Sequence, residues 1–194
     1  MKEIVIATQN KHKTDEYKHM LEPLGYTVYT LDEFPDIGEI IEDGETFEAN
    51  AYIKAKTLQD VLHKDIIADD SGLMVEALDG APGVYSARYA GEDVTYEDNN
   101  RLLMNNMSGI RNRQAAFITV ICLLEQGCEP RYFTGILHGN IATESRGDNG
   151  FGYDPIFCIS DGRHLAELTM EEKNAISHRA LATQQLIMHL RKST

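Results

Sequence analysis

The chain has 194 residues, 42% of them apolar and 25% charged, and 31 acids against 18 bases give a formal net charge of −13. That length suits one domain or two closely packed lobes. So acidic a chain is a poor partner for nucleic acid or an anionic membrane, where Lys and Arg must neutralise phosphates.

In chain order, residues 3–8, EIVIAT, read as a short buried strand, and the apolar run in MKEIVIATQN is too short for a signal peptide. A helix follows with Tyr17, Met20, Leu21 and Leu24 at i, i+3, i+4, i+7, ending at Gly25. A second strand covers 26–31. A second helix over 45–63 carries Phe47, Ala51, Ala55, Leu58 and Leu62 on one stripe. The strand DIIAD comes next. The β-α-β-α-β alternation predicts an α/β fold with strands largely parallel. A Gly/Pro-rich loop, GAPGVYSARYAG, leads to a helix around 95–107. From 114 to 159 the runs AAFITVICLL, RYFTGILHGNIA and PIFCI predict antiparallel strands, the first too short to span a bilayer. In the last helical segment Thr169 and Glu172 match a capping box. Asn174 and Ser177 mark a break within it, with Ile187 and Leu190 on its apolar side. Cys122, Cys128 and Cys158 form no CxxC pair, which argues against a disulfide framework or zinc ribbon and suits a reducing cytoplasm.

Positive charge collects in three places. Lys11, His12 and Lys13 stand at a predicted helix start, where cations carry the wrong sign. Either this is a solvated helix start, or a bound anion reverses the balance and phosphate sits where strand passes to helix. No GxxxxGKS is present, so this is not a Walker loop. Asn50 and Lys54 share one face of the second helix, where a lysine either snorkels to water or meets a ligand. Lys173, His178 and Arg179 are brought together only if the last helix breaks.

Asp69 and Asp70 are expected to end the third strand, at the edge that faces the ligand crevice in open α/β sheets. Side chains alternate along a strand, so one of the two faces such a crevice. Mg2+ would offset the crowded charge, being held by one or two carboxylates plus substrate phosphates. A capped turn before Gly72 is the plainer reading. Glu42, Asp43 and Glu45, around Gly44, supply either a further ligand or a favourable charge for the next helix start. Phe151 lies between Gly150 and Gly152, either as a hydrophobic plug or as a ring on which a purine stacks. Asp154, held extended by Pro155, is an acceptor suited to a ring N–H.

Taken together, ATQNKHK at 7–13, TFEANAYIKA at 46–55, ADDSGL at 68–73 with GAPGVYSARYAG after it, FGYDPIF at 151–157 and EEKNAISHRA at 171–180 resemble the inosine triphosphate pyrophosphatase family. The match is in order and nearly end to end. The resemblance implies one pyrophosphatase domain over 1–194, a two-lobed α/β fold with an elongated mixed sheet flanked by helices and the active cleft between the lobes. It implies a cytoplasmic homodimer whose partner is a small nucleotide, cleaving ITP, dITP and XTP to monophosphate and pyrophosphate with Mg2+ as cofactor. By matching position, Asp70 resembles the general base and a metal-associated carboxylate, and Ser71 a substrate contact. Thr8, Gln9, Asn10, Lys11, His12 and Lys13 resemble the phosphate-binding segment, with Lys54 adding a further cation. Phe151, Gly152, Tyr153, Asp154, Lys173, His178 and Arg179 resemble the nucleotide and base pocket. Two positions depart from the pattern: His12 stands where many members have Gly, and Ile41 where many have Glu, leaving Glu42 as the nearest second metal ligand. A general nucleoside triphosphate pyrophosphatase and a non-catalytic nucleotide sensor are the competing readings.

Overall fold

The structure is a computed structural model that describes residues 2–8, 11–35, 37–38 and 40–192, with backbone alone at 11–13 and 16. Among the described residues six strands, β1 (Lys2–Ile6), β2 (Tyr26–Thr30), β3 (Asp65–Val75), β4 (Gln114–Leu124), β5 (Arg131–Ile141) and β6 (Phe157–Cys158), form one sheet in the order β2-β1-β3-β4-β5-β6. The helices are α1 (Lys11–Leu21), α2 (Phe47–Leu62), α3 (Tyr96–Asn106), α4 (Met170–Ile176) and α5 (His178–Lys192). β1 pairs parallel with β2 and with β3, the register running Ile4 to Asp65 and Ile6 to Ile67. β5 and β6 pair antiparallel. The short loop between β4 and β5 leaves no room for a crossover, so that pair is antiparallel as well. The expected α/β mixed sheet flanked by helices is borne out. Among the described residues, no helix is long and apolar enough to cross a membrane.

The chain forms two compact units. The first comprises residues 1–70, 119–134 and 182–194, and the second 71–118 and 135–181. In the first unit, strand alternation sorts side chains to two faces. Ile4, Ile6, Ile67, Ile121 and Leu123 pack with Tyr17 and Leu21 of α1 and with Ala182, Leu186 and Leu190 of α5. Val5, Ala7, Ile66, Ala68, Cys122 and Leu124 face Ala51, Ala55 and Leu58 of α2 instead. In the second unit, Leu73 and Val75 of β3 pack with Leu103, Met107, Phe117 and Phe157.

Several boundaries differ from expectation. The first helix stops at Leu21. A 3-10 turn, Glu22–Leu24, then carries the chain through Pro23 to Gly25, whose φ of 84° makes it the left-handed cap. β3 does not stop at the aspartates but runs on to Val75, so Asp69 and Asp70 lie mid-strand. Its pairing with β1 ends at Ile67, which releases the later residues from that neighbour. In PIFCI, Asp154–Ile156 forms a 3-10 turn and only Phe157–Cys158 is strand. The final helix breaks at Ser177 but not at Asn174, which stays inside α4.

Candidate active site

In the first unit, strand parity decides which aspartate meets α2. Ile66 and Ala68 face that helix, so Asp70, two residues further, faces it too, and Asp69 takes the opposite face. Asp70 Oδ2 accepts from Asn50 Nδ2 at 3.1 Å. Asp69 is 8% exposed. Its backbone oxygen accepts from Lys54 Nζ at 2.9 Å, and the same ammonium pairs with Glu42 at 3.0 Å. Asn50 and Lys54, one turn apart on α2, therefore hold two different segments, the 42–44 loop and the middle of β3.

The loop lies tight against the helix start. Thr46 caps α2 by accepting from Ala49 N at 3.1 Å, and Gly44 N donates to Asn50 Oδ1 at 2.7 Å. A Cβ on Gly44 would lie 2.7 Å from that same oxygen and 2.8 Å from the Ala49 methyl, so only glycine fits. Ile41 is 73% exposed, and the carboxylate of Glu42 is the one that turns to Lys54.

In the second unit a different cluster forms around the 147–154 loop. Asp154 is 3% exposed. It accepts from Phe151 N at 3.0 Å and pairs closely with Lys173. Lys173 Nζ stands 4.7 Å from the centroid of the Phe151 ring, a cation–π placement. Phe151 is half exposed. Gly150 has φ of +76°, and any Cβ there would overlap the Asp154 carboxylate. Gly152 is held through its carbonyl by Asn100 Nδ2 at 3.0 Å. Tyr153 donates its hydroxyl to Ser86 O at 2.7 Å, and burial raises its phenol pKa, keeping that donor protonated. A cavity of about 540 Å3 opens beside this loop, lined by Tyr96, Asn100, Met104, Gly150, Phe151 and Gly152.

Ser177 ends α4 and caps α5, accepting from Ala180 N at 3.1 Å. His178 and Arg179 thereby fall in the first turn of α5. His178 stacks flat on Phe117, with ring centroids 5.0 Å apart and planes at 12°. Arg179 Nε is buried with no hydrogen-bond acceptor among the described residues.

Of the residues singled out in the sequence, Asp70, Lys54 and Glu42 belong to the first cluster, and Phe151 to Asp154 with Lys173 to the second. Thr8 closes β1 by donating its backbone N–H to Ile6 O at 2.9 Å. Ser71 follows Asp70 in β3. Gln9 and Asn10, and the side chains of Lys11, His12 and Lys13, lie outside the described residues. Sequence reasoning missed what Asn50 holds, although its spacing from Lys54 was visible. It also missed Asn100, Ser86 and the Phe117–His178 stack, whose partners are too far apart in the chain to leave a signal.

Among the described residues no three His, Cys, Asp or Glu side chains converge as a ready-made metal cage. The oxygen donors on offer, Asp70 and Glu42, are hard carboxylates tied to one helix face. Such a sparse set fits Mg2+, which takes one or two carboxylates and completes its shell with phosphate and water.

The fold and site define a mixed-sheet α/β protein with a carboxylate–lysine cluster on one unit and a loop-borne aromatic–cation cluster on the other. A model of the Ham1 family matches residues 4–189, and the chain belongs to that family. It is 47% identical over 192 residues to the dITP/XTP pyrophosphatase of Thermoanaerobacter sp. (strain X514), covering 97% of this chain and 96% of that one. To the dITP/XTP pyrophosphatase of Geobacter sulfurreducens it is 46% identical over 193 residues, covering 98% and 97%. The structure of the Staphylococcus aureus Ham1 protein superposes with a TM-score of 0.95 at 41% identity over all of both chains. The resemblance seen in the motifs is thus borne out.

Proposed function

We propose that the protein hydrolyses non-canonical purine nucleoside triphosphates, ITP, dITP and XTP, to the monophosphate and pyrophosphate. The observation that carries this reading is Asp70, turned by strand parity onto the Asn50–Lys54 face of α2, in a chain whose near-full-length relatives bear the name dITP/XTP pyrophosphatase.

Asp70 acts as general base. It orients a water and takes its proton as the water oxygen attacks the α-phosphorus, while the bond from that phosphorus to the bridging oxygen breaks and pyrophosphate departs. Lys54 spends two of its three N–H donors on Glu42 and the Asp69 carbonyl. The third is left for a phosphate oxygen, where it offsets developing negative charge. Thr8 to Lys13 supply further donors to the phosphate chain. Asp70 and Glu42 are the residues that would hold Mg2+, which when bound would supply charge neutralisation on the triphosphate.

Base choice belongs to the second cluster. Phe151 offers a half-exposed ring on which a purine stacks, worth about 1–3 kcal/mol per base. Lys173, fixed above that ring by Asp154, His178 and the unsatisfied Nε of Arg179 provide donors for O6 of hypoxanthine or xanthine. Asp154 supplies the acceptor for N1–H. Adenine reverses both polarities and leaves buried groups unpaired, a penalty able to discriminate by about 10⁴. The same reading includes a homodimer working in the cytoplasm, its dimeric state checked by measuring the mass of the protein in solution.

The test is a panel of triphosphates, with and without Mg2+, scored for monophosphate and pyrophosphate. ITP and XTP are expected to turn over far faster than ATP, and Asp70→Asn to lose several orders of magnitude in kcat while staying folded. Equal ITP and ATP rates would defeat the base assignment, and near-normal turnover in Asp70→Asn would defeat the catalytic one.

A further inference from the structure

We infer that Asn50 is a positioning residue for the Asp70 carboxylate, a role that rests on the reading of Asp70 as the base. Asn50 is 3% exposed and has Ala51 and Ala55, both fully buried, as near neighbours on α2. Burying an amide there is unfavourable unless its polar atoms find partners. Both do. Oδ1 accepts from Gly44 N at 2.7 Å and Nδ2 donates to Asp70 Oδ2 at 3.1 Å.

Only one orientation of the amide satisfies these contacts. The Gly44 N–H can only donate, so the amide oxygen must face the loop and the amide nitrogen must face β3. Held this way, Asn50 offers Asp70 a donor and nothing else, which fixes Oδ2 as an acceptor and orients the carboxylate plane. A rotated carboxylate would aim its water away from the phosphorus. The same amide also joins the loop that carries Glu42 to the strand that carries Asp70. Lys54 makes a parallel link one turn further on, through Glu42 and the Asp69 carbonyl. Removing Asn50 therefore takes from Asp70 Oδ2 the donor that orients it, while the loop keeps its second tether.

Three variants test this, Asn50→Leu, Asp70→Asn and the double variant, each assayed for kcat, KM and affinity for the α,β-methylene analogue of ITP. Asn50→Leu is expected to lower kcat by about 100-fold, the scale for a misplaced catalytic group. KM and analogue affinity should stay within about threefold of the parent. In the Asp70→Asn background the same substitution should change residual turnover by no more than about twofold, because a residue acting through Asp70 has nothing left to position. A merely structural Asn50 would cost the same factor in both backgrounds, and that additive result overturns the inference. So does an Asn50→Leu enzyme of parental kcat beside an inactive Asp70→Asn, which leaves the catalytic reading standing. An active Asp70→Asn removes the reading and the inference together. If Asn50→Leu does not fold, Asn50→Ala enters the same cycle, since it removes the donor to Asp70 without setting a second carboxylate beside it.

Discussion

At the scale of single residues, side-chain commitments separate groups that look alike in the sequence. Asp69 and Asp70 are adjacent and chemically identical, yet parity places only Asp70 against Asn50. Asp154 and Lys173 read separately as an acceptor and a donor for a base, but they are bound to each other, so any ligand meets a preset pair. The cysteines diverge in the same way. Cys122 is fully buried, and burial pushes its thiol up to about 12, whereas Cys128 is exposed. The thiolate is the reactive form, so at pH 8 only about 10⁻⁴ of Cys122 is available, against roughly a quarter of an ordinary thiol. Brief alkylation of the native protein at pH 8 should label Cys128 and spare Cys122 until denaturant is added. Mass mapping that finds Cys122 modified first would contradict the burial described.

At the scale of elements, the junction of the 42–44 loop with α2 is the critical joint. The capped helix start, the Gly44–Asn50 bond and the Glu42–Lys54 pair all fall within it. Gly44→Ala should force the loop outward, since its methyl would overlap Asn50 Oδ1 and Ala49 Cβ. Overpacking of this kind costs about 1–3 kcal/mol. The expected result is a lower Tm together with a reduced kcat, and a variant matching the parent in both would show that the loop has slack. Much of this architecture was legible beforehand. The apolar stripe of α2, the β-α-β-α-β order and the break at Ser177 follow from local periodicity and capping residues, which act within a few positions. The length of β3 was not legible. Asp, Asp, Ser and Gly are poor strand formers, and tertiary pairing overrides propensity there. The partners of Asn50, six residues upstream and twenty downstream, were equally hidden, because one sequence carries no record of which distant polar groups meet.

At the scale of the molecule, β3, β4, β5 and α5 each contribute residues to both compact units. Elements shared in this way couple the two units through continuous backbone. Urea unfolding should accordingly be one cooperative transition, coincident by circular dichroism and by exchange of the slowest amides near Val5 and Leu103. Two resolved transitions would show that the units melt independently.

The first unit is also stitched from three separated stretches, and this bears on how the protein is made. Ile4, Ile6, Tyr17 and Leu21 share their core with Ala182, Leu186, Ile187 and Leu190. Until α5 has been made, that apolar face lacks the cover that Ala182, Leu186, Ile187 and Leu190 give it. Hydrophobic surface exposed on a nascent chain invites aggregation. Emergence of α5 from the exit tunnel is the event that completes this core, so β1 and α1 reach their final packing only after the far more distal helix has been made.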